Sequence, residues 1–159
     1  MNFGLVEDGF YRSAQPSELC FSFLEKLNLK SIIWVGAEEP SDIFLSFIES
    51  QGIKLYNLAP QTKTDHLPPL PPPPEPLIIQ ALTLLLRPST FPTLLCCNMG
   101  RHRTGTVVGC YRKLQRWALS SILEEYRRYA GMKVRVLNEQ FIELFDTDLV
   151  SITAEQMTK

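Results

Sequence analysis

The chain has 159 residues, enough for one ordinary domain and too few for two. Hydrophobic residues make up 45% and charged residues 21%, a balance that excludes a disordered chain. A formal net charge of -1 offers no basic field for nucleic acid or an anionic membrane surface, so an anion must be held locally.

The start, Met1-Asn2-Phe3-Gly4-Leu5, has no basic region leading into a long apolar stretch, and no run reaches the ~18 apolar residues of a membrane span. Cys20, Cys96, Cys97 and Cys110 are irregularly spaced and two are adjacent, which is no disulfide framework. His66 and His102 complete no zinc pattern, so neither metal nor cofactor is expected. A reducing, cytoplasmic setting fits this cysteine usage.

Short strands are expected at residues 3–6 and 10–13, separated by the turn residues Asp8-Gly9. Residues 18–27 carry Cys20, Phe23, Leu24 and Leu27 at helical spacing. Residues 31–35 (Ser-Ile-Ile-Trp-Val) read as a buried strand ended by Gly36. Ser41 can cap a helix that runs to Gln51 and stops at Gly52, and residues 53–58 form the next strand.

Residues 59–76 hold eight of the 12 prolines, a composition that makes this stretch a loop in extended polyproline geometry. It is a surface connector, a docking segment for an SH3- or profilin-type partner, or a loop over the active site. Beyond it, residues 77–86 are helical between Pro76 and Pro88, and residues 93–97 are a strand. Helices follow at 104–116, 120–130 and 137–145, with a tail at 151–159. Strand–helix alternation before a helical C-terminal third predicts an α/β fold with a mainly parallel sheet.

The chemistry lies where the last strand meets a helix: Leu94-Leu95-Cys96-Cys97-Asn98-Met99-Gly100-Arg101-His102-Arg103-Thr104-Gly105. A cysteine five residues before an arginine is weak as a pattern. Here an apolar strand precedes the cysteine, Gly100 sits mid-loop and Thr104-Gly105 opens a proline-free helix. Such a loop at a helix N-terminus makes an anion nest, in which a thiolate is favoured over the thiol. Cys97 would attack phosphorus, Arg103 would grip two phosphate oxygens, and Thr104 would help the sulfur leave. Asn98, Met99, Gly100, Arg101 and His102 would line the substrate.

The blander reading makes Cys97 a buried strand-end thiol and Arg103 a surface charge, but the loop is too polar for a core. Cys96 is either a core-facing small hydrophobe or a resolving thiol for oxidised Cys97. Cys20 and Cys110 are expected in the core. His102 is a loop brace or a substrate contact.

With these residues in view, the chain resembles the plant and fungal atypical dual-specificity phosphatases, a branch of the protein tyrosine phosphatase superfamily. The resemblance spans residues 3–146. It rests on Phe10-Tyr11-Arg12-Ser13-Ala14-Gln15-Pro16, the loop, Gly109-Cys110-Tyr111-Arg112-Lys113-Leu114-Gln115, Glu124-Glu125-Tyr126-Arg127-Arg128-Tyr129 and Glu139-Gln140-Phe141-Ile142-Glu143. It implies a phosphatase domain over residues 1–150 and a four- to five-stranded sheet flanked by helices. It implies no metal, and activity on phosphotyrosine proteins or on inositol pyrophosphates.

Three departures stand out. Cys96 occupies the position of a usual histidine, Met99 replaces a basic residue facing the substrate, and Gln61-Thr62-Lys63-Thr64-Asp65 replaces Gly-Asn-Lys-Glu-Pro. Lys63 matches the family lysine as a substrate contact, and Asp65 becomes the nearest candidate general acid. Two functions follow: a phosphatase working through a phospho-cysteine, or a weakly active phosphatase-like subunit in a complex with related proteins. The vicinal Cys96-Cys97 adds a third, a redox or arsenate-reducing enzyme.

Overall fold

The structure is a computed structural model that describes residues 1–60 and 73–150. Its sheet has five strands: β1 (Gly4–Glu7), β2 (Phe10–Ala14), β3 (Ser31–Trp34), β4 (Lys54–Asn57) and β5 (Thr93–Cys97). They lie in the order β1-β2-β5-β3-β4, with β1 antiparallel to β2 and the other pairs parallel. The expected α/β architecture and mainly parallel sheet are therefore present.

β3 and β5 are buried along their whole length, which is why they read as continuous apolar runs and not as alternating ones. Successive side chains on a strand still face opposite layers. Leu95 and Cys97 join Phe10 and Ile33 against α3 (Glu75–Leu85), α4 (Arg103–Leu114), α5 (Leu119–Ala130) and α6 (Val136–Leu144). Leu94 and Cys96 join Ile32 and Trp34 against α1 (Phe21–Lys26) and α2 (Asp42–Ser50). β5 lies between β2 and β3, so its C-terminal end opens into the crevice where α/β sheets bind ligands.

Several local expectations are refined. Ser41 caps α2 by accepting a hydrogen bond from the Phe44 N–H at 3.3 Å, and Gly52 follows the helix at φ +64°. The helix expected over 18–27 divides into a 3₁₀ turn, Glu18–Cys20, and α1. Cys20 is consequently half-buried and not a core residue, because Phe21 and Leu24 take the inward positions. Cys110 is buried as expected. α3 begins at Glu75, two residues early: Pro76 sits in its first turn, where a missing N–H costs nothing. The remaining boundaries shift by one or two residues, as helix and strand ends commonly do. Residues 61–72 and 151–159, with the larger part of the proline-rich stretch and the tail, lie outside the described residues.

α4 is the buried central helix, and Gly109 is what lets α6 approach it. A Cβ at Gly109 would come within 2.5 Å of Ile142 Cδ1 and 3.0 Å of its Cγ1, and Ile142 is itself fully buried. Gly109→Val therefore overpacks this crossing and lowers stability by about 1–3 kcal/mol, measured by denaturant unfolding. An unchanged midpoint would mean that the two helices can separate without cost.

Candidate active site

β5 ends at Cys97 and α4 begins at Arg103, so the residues between them form a tight loop at the head of a buried helix. Gly100 makes the tightness possible. Its φ is +67°, and a Cβ there would lie 2.5 Å from Ala14 N and 2.6 Å from Ser13 C, both backbone atoms of β2 that cannot yield.

Three successive carbonyls of the loop are held from outside. Asn98 O accepts from the Gln15 N–H at 3.2 Å. Met99 O and Gly100 O each lie 3.3 Å from the Asn2 side-chain amide, and Gly100 O also accepts from Arg12 Nη2 at 3.2 Å. A trans peptide unit is planar, with its C=O and N–H pointing in opposite directions. Fixing those three carbonyls outward turns the N–H groups of Met99, Gly100 and Arg101 inward. His102, at the helix N-cap, makes no side-chain cap, so the first-turn N–H groups of α4 are also left for a ligand. Together these donors make an anion nest.

Cys97 is buried at the base, and Thr104 donates its hydroxyl hydrogen to Cys97 Sγ at 3.0 Å. Arg103 returns across the site to Val35 O at 3.5 Å. Burial lowers the Arg103 guanidinium from its usual value, while negative charge on Cys97 acts the other way. Met99 is 55% exposed and Asn98 is exposed, so both lie on the rim. Arg101 is partly buried beside His102.

His102 braces the loop. Its Nδ1 lies 3.1 Å from the Tyr126 hydroxyl and 3.4 Å from Asn138 Nδ2. Asn138 Nδ2 and the Arg135 N–H both donate to Tyr126 O, at 3.1 Å and 3.3 Å. Tyr126 must then donate to Nδ1, which requires an unprotonated nitrogen there. Burial first, then the charges of Arg135 and Arg101, push the His102 imidazole down to about 4. The brace reading of the two is the one that these contacts support.

Cys96 is wholly buried on the opposite sheet face, and its thiol is pushed well above the usual range by burial first and by Cys97 second. A neutral thiol facing the other layer suits the core reading and not that of a resolving thiol. Lys63 and Asp65 lie outside the described residues. Among the described residues no group of three His, Cys, Asp or Glu side chains could hold a metal ion.

The sequence reading missed Asn2, Arg12, Tyr126, Tyr129 and Asn138, which hold the loop directly or through one another. Arg12 alone carried a signal: it shares inward parity with Phe10 on a strand, where a charge needs a reason.

The tyrosine phosphatase family profile matches residues 1–159. A Mycosarcoma maydis protein provisionally named tyrosine-protein phosphatase OCA1 is 58% identical over 94% of this chain and 93% of its own length. The Arabidopsis thaliana protein named inositol diphosphatase DSP3 is 48% identical over 91% of this chain and 70% of its own. Among solved structures, the core catalytic domain of the Saccharomyces cerevisiae PP-IP phosphatase SIW14 is 41% identical with a TM-score of 0.85, covering 99% of this chain and 93% of that one. Pseudomonas aeruginosa TpbA, at 18% identity and a TM-score of 0.73 over 98% of this chain and 91% of its own, shares the fold.

The neutral His102 brace has a pH signature. A folded-state value near 4 against an unfolded value near 6.5 means that the unfolded chain takes up the proton first. The contribution of His102 is complete above about 6.5 and is lost as pH falls towards about 4. The stability gap between wild type and His102→Gln should therefore be wider at neutral pH than at pH about 5, measured by urea unfolding. A gap independent of pH would show that folding does not shift the His102 pKa, and a gap that widens as pH falls would show that the folded protein holds His102 protonated.

Proposed function

This chain belongs to the tyrosine phosphatase family, and from that membership we propose that Cys97 is its nucleophile in a two-step phosphoryl transfer. The Cys97 thiolate attacks phosphorus in line, a sulfur–phosphorus bond forms, and the bond to the leaving oxygen breaks. Water then attacks the phospho-cysteine and the thiolate departs. The Thr104 hydroxyl, 3.0 Å from Sγ, supports that departure, and this hydrogen bond is the observation that carries the reading. Arg103 grips the equatorial oxygens, and the inward N–H groups of the loop neutralise the rest. A binding subunit of a regulatory complex would need the nest but no hydroxyl aimed at the sulfur.

For the substrate we favour the terminal phosphoryl group of an inositol pyrophosphate. The names borne by DSP3 and by SIW14 support that choice. Leaving-group chemistry supports it independently. A departing phosphate has a second pKa of about 6, so it needs little proton assistance at neutral pH. A departing tyrosine phenolate, at about 10, depends far more on a general acid. Asp65 is the acid assigned from sequence, and a diphosphate substrate lowers the demand on it. Asn98, Arg101 and Lys63 would contact the bound phosphates. The scheme uses no metal and no cofactor, so chelators should leave turnover unchanged.

The second reading, a weakly active partner of related phosphatase-like proteins, is favoured by Met99, which places an exposed apolar side chain where a cation would serve a polyanion. As for location, among the described residues no helix is long and apolar enough to cross a membrane. Four free cysteines, one of them the nucleophile, favour a reducing cytoplasm.

Cys97→Ser should abolish turnover of an aryl phosphate and of a diphosphoinositol polyphosphate, since a hydroxyl is not ionised in the nest. Arg103→Lys should cost nearly as much, because an ammonium cannot reproduce the two-point grip. Substantial activity in either variant would remove that residue from the mechanism. Met99→Arg should lower KM for the inositol compound several-fold, about one net kcal/mol, while aryl phosphate hydrolysis stays nearly constant. A change in neither would mean that residue 99 does not face the substrate.

A further inference from the structure

Arg12 is among the largest fully buried side chains in the protein, and it is a cation. It leaves β2 at an inward position and ends behind the 97–103 loop. There its guanidinium carbon lies 3.7 Å from the centroid of the Tyr129 ring, and Nη2 donates to Gly100 O at 3.2 Å. Its Nε and Nη1 find no hydrogen-bond partner among the described residues. Nor does a carboxylate among the described residues pair with it. Among the described residues the one acidic side chain whose charge acts on it is Glu125, which Arg112 already holds in a two-point pair at 3.1 Å.

A buried guanidinium with one hydrogen bond and no counter-ion is costly, and a methionine or leucine would fill the same space without that cost. Packing alone therefore does not account for an arginine. The remaining titratable groups whose charges act on it, among the described residues, are Tyr129, Arg112 and Cys97, and of these only Cys97 carries, or receives, negative charge in the proposed reaction. Burial, only partly offset by Tyr129, Glu125 and Cys97, lowers Arg12 to about 10, so it stays cationic across the neutral range.

We propose that Arg12 is a positioning residue for phosphoryl transfer, a cation built in beneath the loop that fixes the Gly100–Arg101 peptide unit and adds positive charge under the bound phosphoryl group. The two roles share one contact. Holding Gly100 O outward turns the Arg101 N–H inward, and the same guanidinium puts its charge on the side of the loop away from solvent. Arg103 reaches the phosphate from α4 and Arg12 supports it through the loop from β2, without touching it.

This inference rests on the proposed phosphatase function of the loop, and its test separates the two. Wild type, Arg12→Met and Arg12→Lys are compared for kcat and KM on an aryl phosphate, for inhibition by inorganic phosphate, and for thermal unfolding. In Arg12→Met the inhibition constant for phosphate should rise about tenfold and kcat/KM fall about a hundredfold, the order expected when one charge-assisted contact is lost from a nest. Arg12→Lys should recover much of the phosphate affinity, because the charge returns. It should not recover kcat, because an ammonium cannot both stack on Tyr129 and reach Gly100 O. A merely structural role would lower the unfolding temperature and leave phosphate binding by the folded fraction unchanged.

Unchanged phosphate inhibition in a folded Arg12→Met variant would overturn the proposal. Should Arg12→Met fail to fold, Arg12→Lys decides: wild-type kcat in that variant would overturn it. A wild-type protein that turns over neither the aryl phosphate nor a diphosphoinositol polyphosphate, and binds no inorganic phosphate, would overturn the phosphatase reading as well.

Discussion

Three planar peptide units carry this site. The carbonyls of Asn98, Met99 and Gly100 are each fastened to something behind the loop, and the rigidity of the peptide bond converts that fastening into inward-facing donors. The donors are already oriented, so the reorganisation that water would need is avoided, and such preorganisation is where electrostatic catalysis derives most of its strength. The cost lies elsewhere, in a buried guanidinium whose hydrogen-bonding capacity is left unfilled among the described residues.

Strand parity supplies the second constraint. Adjacent cysteines on β5 enter different worlds: Cys97 joins the helical layer of α3 to α6 and meets Thr104, whereas Cys96 is sealed against α1 and α2. One residue of displacement along the strand separates the thiol proposed as nucleophile from one sealed in the core. The same parity places Arg12 on the loop's side of the sheet, through its register with Leu95 on β5. The sheet's alternation thus sorts reactive from unreactive groups, and α4 and its neighbours supply the surroundings in which one of them acts.

Much of this was legible in the sequence because it is local. The buried runs at Ile32-Ile33-Trp34 and Leu94-Leu95, the cap at Ser41 and the order Cys97, Gly100, Arg103, Thr104 all depend on neighbours within a few positions. What sequence reading missed is non-local. Asn2 meets Gly100 across 98 positions and Tyr129 across 127, and no periodicity announces such contacts. Cys20 lies outside the core because one turn of 3₁₀ helix rotates the residues before α1 relative to those within it, which helical spacing alone does not reveal. Pro76 reads as a boundary in the sequence, although the first turn of α3 accepts it without loss.

The contact between the start of the chain and the loop bears on the order of folding. Met1 O accepts from the Ala14 N–H, and Asn2 bridges Met99, Gly100 and Tyr129, so the nest is closed by pieces drawn from both ends of the described chain. Long-range closures of this kind come late, after the local helices and the strands they pack against, because loop entropy must be overcome before such contacts give any return. An incompletely folded chain therefore holds an ordinary cysteine on a floppy segment. The pocket around Cys97 appears only with the finished tertiary structure, so the phosphoryl transfer proposed for it belongs to the whole molecule and to no partly folded form.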